Sequence, residues 1–227
     1  MLGNEGNDEQ RARLVHLVIL AAVQSVMAAE LVFLVAKQQW IHVFLVTGIM
    51  LTMAFPVVLK GRFPVQIPAE IQILAILFGF ATLFLGEVRD YYERFWWWDL
   101  TLHATAGLLL GLQGFMTVYI LNEDCHVDLH MRPAFLAIFA FCFSQAIGAI
   151  WEIFEFTMDQ VFGLTMQKPM LGDPSGLTDT MWDLIVNAIG ALVISVAGWR
   201  YLSHARSSYL GDWVRRFIAR NPQFFGD

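Results

Sequence analysis

Charge is scarce in this chain. Asp, Glu, Lys and Arg make up 15% of its 227 residues, where a soluble domain carries about 25%. With 57% hydrophobic residues, that scarcity argues against an ordinary soluble domain and places the chain in the membrane class. Basic residues are too scattered for a nucleic-acid footprint, and a net charge of -6 opposes one. Cysteine is nearly absent: Cys125 and Cys142 are too few for a disulfide framework. The chain has no nucleophile elbow, no phosphate loop and no dinucleotide fingerprint. No Ser or Cys stands beside a His at a convincing spacing. Internal repeats and low-complexity linkers are also missing, so one integral membrane domain over 1–227 is the simple reading.

What the chain does have is apolar length. A spanning helix needs about 20 mainly apolar residues. Six such runs are expected, at roughly 14–36, 39–59, 69–86, 99–121, 133–157 and 180–202. The expected fold class is therefore an all-α, polytopic helical bundle. The first run is long enough to span and shows no evident small-x-small cleavage site after it, so it reads as an uncleaved first helix. Pro64 and Pro68 stop any continuation of the second run, and Pro133 suits the first turn of the fifth. Gly163, Pro169, Gly172, Pro174 and Gly176 mark an irregular loop over 162–178. Gly107, Gly111 and Gly114 lie on one small-residue face of the fourth run, a pattern that suits close helix packing.

Lys and Arg placement orients the bundle. Six spans put Arg11, Arg13, Lys60, Arg62, Arg132, Arg200, Arg206, Arg215, Arg216 and Arg220 on one side. Lys37, Arg89, Arg94 and Lys168 fall on the other. Both termini are then expected in the cytoplasm. Trp96, Trp97 and Trp98 read as an outer aromatic belt, and 203–227 as an amphipathic cytoplasmic tail. The loop from Glu123 to His130 mixes Cys125 and His126 with carboxylates. It lacks a second ligand pair at finger spacing and reads as a solvated loop.

Acidic residues nevertheless sit where lipid is expected. Asp99 and His103 are i, i+4. Glu152, Glu155 and Asp159 are i, i+3, i+7, and Asp179, Asp183 and Asn187 are i, i+4, i+8. Each set shares one helix face. The expected topology brings all three stripes to the outer half of the bundle, together with Glu30 of the first run. Ionisable groups at membrane depth cost a few kcal/mol each, so they face a cavity, a partner or an ion. Carboxylates this close in low dielectric need protons or a cation. A divalent metal ion is the expected cofactor; its ligands are expected among Asp99, His103, Glu152, Glu155, Asp179 and Asp183. Glu152, Glu155 and Asp183 are the candidate catalytic groups, and Asn187 and Glu30 are further polar site residues. Simpler accounts stand beside these. Asp99 is also explained by interfacial solvation, His103 by one interhelical hydrogen bond, and Asp179 by helix capping. Glu87 and Asp90 read as a loop charge cluster with Arg89 and Arg94.

At these residues the chain resembles the YjdF-like group of bacterial inner-membrane proteins and, more distantly, the VanZ-like proteins. The matching pieces are Trp98-Asp99-x-x-x-His103 with Ala106-Gly107, then Trp151-Glu152-x-x-Glu155. Asp179-Thr180-x-x-Asp183-x-x-x-Asn187-x-x-Gly190-Ala191 follows. The resemblance covers roughly 65–200 and implies a compact polytopic helical protein. The VanZ-like relatives imply chemistry at the envelope, but no particular reaction.

Three functions fit the cluster. One is a metal-dependent enzyme acting on a lipid-linked envelope substrate, with a carboxylate as general base. A second is a cation- or proton-coupled transporter, which in a chain without repeats requires a homo-oligomer. The third is a non-catalytic envelope or resistance factor with a structural cation site. The expected partners are the lipid bilayer and a lipid-linked small substrate, and not nucleic acid.

Overall fold

A computed structural model describes residues 2–58, 69–123 and 130–203, with residues 214, 217–219 and 221–222 of the tail. The loop at 60–68, the Cys125/His126 segment and most of the proposed amphipathic tail lie outside the described residues. The described chain is all helical: α1 (Leu2–Ala36), α2 (Trp40–Val58), α3 (Ala69–Gly79) with a π-helical continuation over Phe80–Val88, a one-turn α4 (Tyr91–Arg94), α5 (Trp98–Glu123), α6 (Pro133–Phe162) and α7 (Leu177–Ser203). Among the described residues, five segments are long and apolar enough to cross a membrane: Leu14–Ala36, Ile71–Val88, Trp98–Glu123, Pro133–Phe162 and Leu177–Ser203. The second expected span is the shorter case, apolar over His42–Ala54. The protein is thus a multi-span membrane helical bundle.

The chain divides into two compact units, Met1–Trp96 and Trp97–Asp227. In the first, Leu20, Val23 and Met27 of α1 pack with Val46, Ile49 and Met53 of α2 and with Ile76 and Phe84. A rare polar tie crosses this core, where the Gln24 amide donates to the Met50 carbonyl at 2.9 Å. Helix α3 widens into the π-helical turns where the Thr82 hydroxyl donates to the Phe78 and Gly79 carbonyls, at 3.0 and 3.2 Å. Hydroxyl bonds of this kind compete with the regular backbone ladder. Asp90 then ends the segment in the left-handed region, at φ 56°.

The second unit is three long helices, α5, α6 and α7, each packed on the other two. Small residues set the approach of α5 to α7. A Cβ on Gly107 would collide with the Asn187 carbonyl, and one on Gly190 with the Ala104 carbonyl. Near Gly111 the Ala191 Cα would lie 3.3 Å from an added Cβ. Without a hydrophobic driving force between helices in lipid, such backbone proximity supplies the packing. Gly114, the third member of that stripe, faces the Phe143 ring of α6 instead. At the C-terminus of α6, Gly163 takes φ 65°, the left-handed stop that glycine favours.

Candidate metal centre

Helices α5 and α7 begin, and α6 ends, at the same end of the three-helix unit. The loop between α6 and α7 closes that end. Asp159 of α6 accepts from the Met166 and Gln167 amides at 2.7 and 2.9 Å. Asp179 of α7 accepts from the Lys168 amide at 2.7 Å, and the Gln167 side chain donates to the Thr180 hydroxyl at 2.7 Å. Further along, Asp173 takes the amides and hydroxyls of Ser175 and Thr178 at 2.6–2.9 Å. The Ser175 and Thr178 donors hold the Asp173 carboxyl well below the usual carboxylate range. Two residues of the sequence stripes are therefore tied into the loop. Asp159 anchors two loop amides, and Asp179, in the first turn of α7, anchors a third.

Beneath the loop lies a buried acidic cluster. Glu152, Glu155, Asp179, Asp183 and Asn187 are all buried. Asp99 and His103 are nearly so, with 14% and 11% of their side chains exposed. Asp183 begins about 9 Å along α7, and Asn187 about 15 Å, at 1.5 Å per residue. One atom each of Asp99, His103 and Asp183 lies within 4.8 Å of the other two. Oxygens held at about 2.0–2.6 Å around one hard cation are separated by at most about 5 Å. The trio therefore forms a buried cluster capable of coordinating a metal ion. The His103 ring stands between two carboxylates, with Nε2 3.5 Å from Asp99 Oδ1 and Nδ1 3.5 Å from Glu152 Oε1.

Two carboxylates most need a partner. Asp183 is fully buried and Glu152 nearly so, and neither oxygen of either has a hydrogen-bond partner among the described residues. Glu155 is half satisfied: the Trp151 indole donates to Oε1 at 2.9 Å, while the buried Oε2 has no partner among the described residues. A carboxylate buried without donors costs about 1–3 kcal/mol or more. Oxygen and imidazole donors aimed together suit a divalent cation, so the donor set fits the group.

Asn187 and Glu30 lie apart from that trio. Asn187, one turn below Asp183, donates to the Gln145 side chain and, at 3.4 Å, to the Ser144 carbonyl. The Ser144 hydroxyl in turn donates to the Gly107 carbonyl at 3.3 Å. Asn187 thus stitches the three helices at depth. Glu30 belongs to the first unit, where both its oxygens accept from Arg89, at 3.1 and 3.2 Å. Arg94 pairs with Asp90 at 3.7 Å as a local loop pair. Sequence reasoning missed Ser144 and Gln145, whose signal was a polar pair in an apolar run two turns before Glu152. It also missed Gln167 and Thr180, which only the folded loop brings together.

A family described as "Predicted membrane protein (DUF2238)" matches residues 19–204. A relative from Thermotoga maritima, described as an uncharacterized protein, is 26% identical over 135 residues. That match takes in 60% of this chain and 65% of the relative, so it spans a little under two thirds of the relative's length. No solved structure matches the chain.

Proposed function

The chain belongs to the DUF2238 family of predicted membrane proteins, and on that premise we propose that it is a divalent-metal-dependent enzyme of the bacterial inner membrane, acting on a lipid-linked envelope substrate. The observation that carries the reading is Asp183: both its oxygens are buried and unpartnered among the described residues, and one lies within 4.8 Å of a ligand atom of Asp99 and of His103. In this reading Asp99, His103 and Asp183 hold the ion. When bound, it would activate water or polarise a phosphoryl or carbonyl oxygen. This reading assigns Glu155, one oxygen of which accepts from Trp151, as the carboxylate that takes a proton. The α6–α7 loop shields the cluster from bulk water, and lipid would enter between helices. Likeness to the YjdF-like and VanZ-like groups supports an envelope substrate.

Elemental analysis of detergent-purified protein tests the metal. About one divalent ion per chain is expected in the wild type and none in Asp183→Asn. Incubating extracted envelope lipids with each protein and resolving the products tests the chemistry. A metal-loaded wild type that alters no lipid but moves cations across proteoliposomes would replace the enzyme reading by cation-coupled transport. The same buried carboxylates favour that second reading.

A further inference from the structure

Glu152 and Asp99 approach opposite nitrogens of the His103 ring. Glu152 Oε1 approaches Nδ1 at 3.5 Å, while Asp99 Oδ1 approaches Nε2 at the same distance. The compact ligand group joins Asp99, His103 and Asp183 without Glu152. An imidazole can offer a metal only one ring nitrogen at a time, and the other then carries a proton that needs an acceptor. From these facts we propose that Glu152 is a positioning residue and not a ligand: it accepts the Nδ1 proton of His103, so that Nε2 is presented to a divalent cation held with Asp99 and Asp183. The inference rests on the metal reading above.

Burial makes the role effective. Glu152 is 4% exposed, so no bulk water competes for the Nδ1 proton. Closing the contact from 3.5 Å to the ~2.8 Å of a charge-assisted hydrogen bond takes a small movement of a side chain. Neither Glu152 oxygen has a hydrogen-bond partner among the described residues, so the carboxylate is open to the Nδ1 proton. Groups in this position raise ligand basicity and fix the ring, and their loss weakens metal binding about 10–100-fold without changing the number of ligands.

Cobalt(II) is the probe, titrated into metal-stripped full-length protein in detergent and read by its visible d–d absorption. Glu152→Ala should weaken binding about 10–100-fold while keeping one ion per chain and the wild-type band intensity. Glu152→Gln keeps an oxygen that can accept the Nδ1 proton. It should recover most of the affinity, and it carries the test if the Ala variant does not fold. Asp183→Asn should lose the band. A Glu152 variant that loses the band as Asp183→Asn does would make Glu152 a ligand and overturn the inference alone. Unchanged affinity in Glu152→Ala would also overturn it alone. A wild type that binds no cobalt, zinc or manganese would overturn the metal reading together with the inference.

Discussion

Replacing Asp183 by Asn removes one negative charge and keeps the side chain's volume. Two forces then change with opposite sign. In the wild type the aspartate is fully buried, with both oxygens unpartnered among the described residues. An ion that binds only the folded state at one hundred times its Kd stabilises it by about 2.7 kcal/mol. At roughly 2–4 °C per kcal/mol for a chain of this length, a chelator should lower the wild-type melting temperature by about 5–10 °C. The Asn variant has no such ion to lose, so chelator should leave its melt unchanged. In chelator the order reverses: relief of an unsatisfied buried carboxylate, about 1–3 kcal/mol, should make the variant melt a few degrees above the wild type. The assay is a thermal melt of both proteins in detergent, with and without chelator. A wild type indifferent to chelator, beside a variant that melts higher in both buffers, would refute the reasoning. A polar core that shares protons would remain.

Three further outcomes are expected. Gly107→Leu drives a side chain into the Asn187 backbone and should cost at least about 3 kcal/mol, whereas Gly111→Ala, with its nearest neighbour at 3.3 Å, should cost about 1 kcal/mol; the folded fraction on gel filtration separates the two. The Asp173 carboxyl is held below its ordinary value by Ser175 and Thr178, so its contribution to loop order is present above the unfolded value of about 3.9 and is lost as pH falls through the lower folded value. Protease cutting between Gly163 and Gly176 should therefore rise in strongly acidic buffer for the wild type, and be high already at neutral pH in Asp173→Ala. Reporter fusions after Arg206 and near Pro169 should report opposite faces of the membrane, since six spans would put ten basic residues on one side and four on the other; the same face for both would end the proposed orientation.

Helices and stripes were legible in the sequence because both are local. Twenty apolar residues demand a helix in lipid, where every backbone group must bond within its own segment. A spacing of three or four residues then places Asp99 with His103, and Asp183 with Asn187, on one face. Neither fact depends on a distant residue. What the stripes do was decided by partners far along the chain. Asp159 shares a spacing with Glu152 and Glu155, yet the closing loop draws it onto the Met166 and Gln167 amides. Glu30, 59 residues away in sequence, is taken by Arg89. Asn187 joins Gln145 and Ser144 of α6 where Gly148 leaves room for its side chain, a Cβ there lying 2.8 Å from the Asn187 amide nitrogen. Of three acidic stripes, that packing selects Asp99, His103 and Asp183 as the group one ion can reach. Residue types and spacing determined that charge would be buried in the membrane; only the approach of three helices decided which charges meet, because ligand distances of a few ångströms are set by side chains that no local pattern relates.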